Sequence, residues 1–266
     1  MVFYLEPGLG TLGVFKLLLE YSYSTHAMEK DSINLQNKIT WKRNPEIEFL
    51  RFVFASMVVL HHSRYLFGDK AYGLFIRGSF SVDFFFILSG CFLMQSVEKD
   101  NIKKEPIATS TVDHLKRKVS GLYAELVTAN IIGLLFILLT ATAPFKNIIG
   151  KAVRAIPSDY LFLRMCLCTP AINGPVWYIS SMLICMAILY PLLRRWPEMM
   201  SKVALPLIAA LLLGFLWKNC HSVLNPTFWM GFTYKGNIRA FAELSLGMMT
   251  YRMAGKIKNL RMTLAG

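Results

Sequence analysis

Long apolar runs separated by short charged segments set the pattern of this chain. Residues 46–67, EIEFLRFVFASMVVLHHSRYLF, form the first run, and residues 80–97, FSVDFFFILSGCFLMQSV, the second. Further runs lie at about 120–142, 175–193, 202–217 and 237–254. At about 1.5 Å of helix rise per residue, each approaches or exceeds the length needed to cross hydrocarbon roughly 30 Å thick. The pattern predicts an all-α, polytopic transmembrane helix bundle with about six spans, the first at 47–67.

The segments between the runs differ in character. Residues 98–119 read as a charged loop holding Lys99, Lys103, Lys104, Lys116, Arg117 and Lys118. The stretch IPSDYLFLRMCLC is moderately apolar, but Asp159 and Arg164 favour a re-entrant or interfacial piece over a span. Residues 1–43 are expected to form an N-terminal cytoplasmic tail. Their apolar patch LGTLGVFKLLL is interrupted by Lys16 and lacks a basic leader and a small-residue cleavage site, which argues against a signal peptide. An interfacial helix, a disordered tail and a spurious extension ahead of Met28 remain open for it. Residues 44–254 then form the transmembrane domain, and residues 255–266 a basic cytoplasmic tail on a chain that stops early.

Composition sharpens this picture. The 266 residues are 55% hydrophobic with a mean hydropathy of +0.44, yet carry a formal charge of +13. Basic charge alone would suit nucleic acid, but here Lys and Arg collect in the short segments, as in a multi-spanning membrane protein whose partners are lipids. The N-terminal segment, the 98–119 and 194–202 loops, and the C-terminal tail with Arg252 hold 18 of them; the alternate loops with Arg64 hold 9. That bias places both termini in the cytoplasm, with the chain in the inner or plasma membrane of the cell. Five cysteines without a CxxC pair indicate neither a zinc site nor a disulfide framework, and no metal is expected. Cys166, Cys168 and Cys220 fall in segments placed outside.

Candidate chemistry concentrates in the first run. Ionisable groups in a span cost a few kcal/mol or more each, so by default they mark a site. Arg51 and His62 are eleven residues apart, which is three turns plus roughly 20° and roughly 16 Å along a helix. Glu48 precedes Arg51 at the i, i+3 spacing where side chains meet, whereas His61 points about 100° away. One face therefore offers a carboxylate, a permanent cation and an imidazole. Asp83 opens the second run, where it either takes a catalytic role or caps a helix start. Ser89-Gly90 reads as a close-packing point between helices rather than a nucleophile. Arg239 and Glu243, four residues apart, read as a mutually neutralising pair.

These residues carry a family resemblance. EIEFLRFVFASMVVLHHS resembles the opening helix of the membrane acyltransferase 3 family, with an Arg, ten intervening residues and then a His. FSVDFFFILSGCFLM resembles its second signature, with Ser81 in place of a Gly. GPVWYISSMLICMAILYPLL and RAFAELSLGMMTYRM resemble two later segments, and the match runs in order from about Asn44 to Met253. The resemblance implies transfer of an acyl group, commonly acetyl, from acyl-CoA as co-substrate to a hydroxyl of a cell-surface polysaccharide or glycolipid. On that reading His62 is the general base. Arg51 binds donor phosphate or carboxylate, Glu48 orients Arg51, and Asp83 orients an imidazole or a neighbouring helix. Arg117 and Lys118 remain from a basic run that usually enters the third span; Gly121 stands where its second Arg is usual, and Ala124 where its Pro is. Met182 replaces a Glu found in one branch. Six spans are also fewer than the family's usual number. Two rivals follow: a truncated, non-catalytic relative, and a transporter or flippase of a lipid-linked sugar, since buried charges also line transport paths.

Overall fold

Proline marks where five of the described helices begin. Its fixed φ suits a first helical turn, where its missing N–H is no loss. The computed structural model describes residues 45–67, 76–140, 144–167, 171–221 and 224–265. Pro45 is the first residue of α1 (Pro45–Phe67), whose first turn carries Glu46 and Glu48, the charge sign a helix N-terminus favours. A 3₁₀ turn, Ile76–Ser79, leads into α2 (Phe80–Ile102). Pro106 directly precedes α3 (Ile107–Thr140), and Pro144 caps α4 (Phe145–Asp159). A single turn, α5 (Arg164–Leu167), is followed by Pro175 capping α6 (Val176–Arg195). Pro197 opens α7 (Pro197–Cys220), which contains one π turn, Met200–Ala204, and α8 is Lys235–Ala265. Among the described residues there is no strand beyond a single antiparallel bridge between Trp229 and Tyr234.

The fold class is all-α as expected, but among the described residues four helices, α2, α3, α6 and α7, are long and apolar enough to cross a membrane. The first and last expected spans are helices α1 and α8, of 23 and 31 residues. Their own charges keep them outside that group: Glu46, Glu48, Arg51 and Arg64 in α1, and Lys235, Arg239, Glu243 and Arg252 in α8. The expected charged loop at 98–119 is a correction. α2 runs on to Ile102 and α3 begins at Ile107, so most of that segment is helix with one tight connection. Lys, Arg and Glu are good helix formers, so charge there reports exposure and not a break in the backbone. The expected tail is likewise helical as far as Ala265, whereas residues 1–44 lie outside the described residues.

Packing divides the chain into two units, Met1–Met94 with Leu244–Gly266, and Gln95–Glu243. In the first, α2 meets α8 at two glycines. A Cβ on Gly90 would come within 2.2 Å of the Leu244 carbonyl oxygen, and one on Gly247 within 1.9 Å of that of Ile87. Cys91 closes the crossing by donating from Sγ to the Gly247 carbonyl at 3.1 Å. Small residues that let backbones touch are the means by which helices associate in lipid, where no hydrophobic force drives them together. Gly90 is therefore a packing position, as the sequence pattern implied.

In the second unit α3 lies against α6. Leu126, Phe162 and Val176 form a buried cluster, flanked by Val119, Ile179 and Leu183. Farther along α3, Ile131, Ile132, Leu135, Phe136 and Leu139 are exposed, an apolar surface suited to lipid. The connection from α4 to α6 is tied down by Asp159, whose Oδ2 accepts from the Ile172 N–H at 2.8 Å and the Asn173 N–H at 3.4 Å. Asn130 of α3 donates to the Asp159 carbonyl and accepts from Asn173. Burial pushes the Asp159 carboxyl up, opposed by those two N–H donors and by Arg164. This piece, expected as re-entrant or interfacial, is a folded connection anchored to α3 and α6, and no part of it is a span.

The glycine crossing generates a prediction. Gly247→Ala forces a methyl into the Ile87 carbonyl, so the helices must separate, at a cost of about 1–3 kcal/mol. Gly121→Ala, with nothing within 4 Å, is expected to be neutral or slightly stabilising. Thermal unfolding of both variants in detergent reads the difference; equal midpoints would remove the crossing as a determinant of stability.

Candidate active site

The α1 residues expected to carry chemistry occupy its exposed side. Glu48, Arg51, Phe52, Ala55, Val59 and His62 are all exposed and recur at helical spacing. The opposite side packs: Ile47 is buried, and the Phe54 ring stacks on Phe84 of α2 with centroids 4.2 Å apart. On the exposed side Arg51 donates from Nη1 to Glu48 Oε1 at 3.0 Å. The expected pairing of carboxylate and guanidinium is thus formed, about half exposed. It leaves further donors of the planar fork for a ligand.

Two adjacent histidines divide by packing. A Cβ on Gly78 would meet the His61 Cβ and the Met57 carbonyl oxygen at 2.6 Å each, so the 3₁₀ turn is seated directly against α1 at His61. His61 is half-buried there, whereas His62 is exposed. The rings meet edge to face with centroids 5.4 Å apart. Asp83 is half-buried in the first turn of α2, one residue before Phe84 and its stacking contact with Phe54. That placement fits the helix-start reading and leaves a catalytic role to experiment.

A second constellation, in the other unit, is one that the sequence pattern did not reveal. Tyr190, near the end of α6, donates a hydrogen bond from its hydroxyl to Oδ2 of Asp100, and both residues are buried. The His114 ring of α3 stacks on Tyr190, with centroids 4.8 Å apart and planes 25° from parallel. One helical turn beyond Tyr190, Arg194 donates from Nη1 to Ser110 Oγ at 3.1 Å and from Nη2 to the Glu105 carbonyl at 2.6 Å. Arg117 reaches Asp100 Oδ2 at 3.9 Å while remaining largely exposed. His114 Nε2 and Arg194 Nε are buried without a hydrogen-bond partner among the described residues. Tyr190 lies in the segment that carries the family resemblance, but Asp100 and His114 sit in what reads as a charged loop. No spacing rule pairs residues 90 positions apart.

Of the expected donor-binding residues, Arg117 is tethered by Asp100, and Lys118 is half-buried one residue on. An open groove of about 780 Å³ runs along α3 past Leu115, Val119 and Tyr123, with Lys116 and Ser120 its polar members. Its mainly apolar lining is not that of a phosphate site. Among the described residues no three His, Cys, Asp or Glu converge on a point where a metal could sit. Cys91, Cys166, Cys185 and Cys220 are free thiols, and Cys168 lies outside the described residues.

A family model described as an acyltransferase domain matches residues 44–266, most of the chain, and the chain belongs to that family, acyltransferase 3. With its four apolar helices, it is a helical membrane protein of acyltransferase type. Searches of curated proteins and of solved structures return no match.

His114 generates a pH prediction. It precedes the apolar part of α3, and burial pushes its imidazole from 6.5 down to about 4, reinforced by Lys118 and Arg117 and opposed by Asp100. The folded state thus holds fewer protons than the unfolded one between those values. This contribution is fully present above pH 6.5 and is lost as the pH falls towards about 4, by up to about 1.4 kcal/mol per pH unit. Thermal midpoints in detergent at pH 7 and pH 5 are expected to separate in wild type. His114→Phe, which keeps the stack without a titrating group, is expected to narrow the gap; an unchanged gap assigns the pH dependence to other groups.

Proposed function

We propose that the chain is an O-acyltransferase of the cell membrane with both termini in the cytoplasm. It moves an acyl group, most simply acetyl, from acyl-CoA to a hydroxyl of a cell-surface polysaccharide or glycolipid. The observation that carries this reading is the Glu48–Arg51 ion pair on the face of α1 that also presents His62, inside the stretch matched by the family. A sugar hydroxyl is a poor nucleophile until its proton is taken, and a neutral imidazole is suited to that near pH 7. His62 removes the proton as the oxygen attacks the thioester carbonyl. The tetrahedral intermediate collapses to the ester, and the departing thiolate takes the proton from His62. Arg51, oriented by Glu48, supplies positive charge to the donor or to the developing oxyanion. Arg117 and Lys118 hold donor phosphates, and Asp83 steadies the start of α2 beside α1.

A second reading, a non-catalytic relative, draws on Gly121, which stands where the family usually has a second cation. Label transfer separates the two. Membranes carrying the full chain, incubated with radiolabelled acetyl-CoA and surface polysaccharide, are expected to transfer label. His62→Ala is expected to lower the rate about 10²–10⁴-fold, and Arg51→Lys, which loses the planar fork, to do so by a smaller factor. Equal labelling by wild type and His62→Ala would refute His62 as the base. No transfer with any of several acyl-CoA donors and acceptors would favour the non-catalytic reading.

A further inference from the structure

Two donors address one oxygen. The Tyr190 hydroxyl and the Arg117 guanidinium both point to Oδ2 of Asp100, the hydroxyl in a hydrogen bond and the guanidinium at 3.9 Å. The side chains differ in freedom: Asp100 is 4% exposed and Tyr190 is fully buried, whereas the Arg117 side chain is 63% exposed. Tyr190 is also aimed by its surroundings. His114 stacks on its ring, and Arg194, on the same helix face, ties α6 to Glu105 in the turn between α2 and α3 and to Ser110 in the first turn of α3. Asp100 lies before that turn and Arg117 after it, so one anchor fixes the register of both.

We infer that Tyr190 is a positioning residue that keeps Arg117 available to the phosphates of the acyl donor, by occupying the Asp100 oxygen that would otherwise capture it. This rests on the reading of Arg117 as a donor-binding cation under the proposed function. A carboxylate oxygen that already accepts a hydrogen bond has less charge to offer a second cation. With the hydroxyl in place, Arg117 is held near Asp100 but not closed upon it. Without it, the buried carboxylate has lost its neutral donor, and the guanidinium at 3.9 Å is placed to replace it. Closure would satisfy Asp100 and cancel the charge that a phosphate needs. Arg194, the other cation beside the Tyr190 hydroxyl, is held by Ser110 Oγ and the Glu105 carbonyl.

The sign pattern across variants separates this idea from a merely structural role for the hydroxyl. Equilibrium binding of acetyl-CoA to the purified full chain in detergent is measured for wild type, Tyr190→Phe, Asp100→Asn and the double variant. Tyr190→Phe is expected to weaken binding about three- to tenfold, the scale of one charge-assisted contact. Asp100→Asn removes the competing charge and is expected to bind at least as tightly as wild type. The double variant is expected to match Asp100→Asn, since no carboxylate is left to capture Arg117. On an Arg117→Ala background, where binding is already weaker, Tyr190→Phe is expected to be silent. A double variant as weak as Tyr190→Phe, or weaker binding by Asp100→Asn alone, would overturn the inference; the second comparison holds even if Tyr190→Phe fails to fold. Failure of the proposed function is read separately, from label transfer. The binding pattern without transfer leaves the inference standing and sinks the enzyme, transfer without the pattern does the reverse, and absence of acetyl-CoA binding by wild type removes both.

Discussion

Charge taken out of water is the constraint on which the second unit depends. Each ion moved into a low-dielectric interior costs several kcal/mol unless a partner is held in good geometry. This unit buries Asp100, Asp159, Arg194, Lys235, Arg239 and Glu243. Their partners come from the turns and helix ends: Tyr190 for Asp100, two backbone N–H groups for Asp159, Ser110 and the Glu105 carbonyl for Arg194, and the Leu224 carbonyl for Lys235. Arg239 and Glu243 neutralise one another one turn apart at 2.8 Å. The apolar middles of the helices give little direction to their packing. These polar ties set which end meets which, and at what register.

The first unit solves a different problem by a different means. Where α2 meets α8, shape does the work: two glycines remove side chains so that backbones touch. Gly78 repeats the device, seating the 3₁₀ turn on α1 at His61. One consequence bears on chemistry. Taking His61 into that contact leaves His62 as the imidazole on the open side of α1, along with Arg51 and Glu48. Packing gives the two neighbouring histidines different surroundings.

The two constellations belong to separate units of the chain. His62 shares an exposed helix face with the Glu48–Arg51 ion pair, while the buried Asp100, bonded by Tyr190, holds Arg117 at 3.9 Å elsewhere in the chain. The tight turn between α2 and α3 matters for the second of these. Because residues 98–119 are helical on both sides of it, Arg117 and Lys118 project from a defined helix face rather than from a loop. A cation on a helix loses less conformational freedom when it binds than one on a flexible segment.

The sequence by itself determined the class of this protein and the line of its first helix. Apolar runs with basic connections dictate membrane helices, because hydrocarbon leaves backbone polar groups no partner but one another. The spacing of Glu48, Arg51 and His62 fixes their common face, since a helix has one period. The small pair Ser89-Gly90 within an apolar run made Gly90 legible as a packing point. Only the tertiary structure decided that α3 begins at Ile107, that His61 and not His62 packs against the 3₁₀ turn, and that Asp100, His114, Tyr190 and Arg194 belong together. Periodicity is a property of neighbours along the chain. Pairs such as Asp100 with Tyr190 are set by how helix ends dock, and docking is settled by the cost of leaving those groups alone in the dark of the bundle.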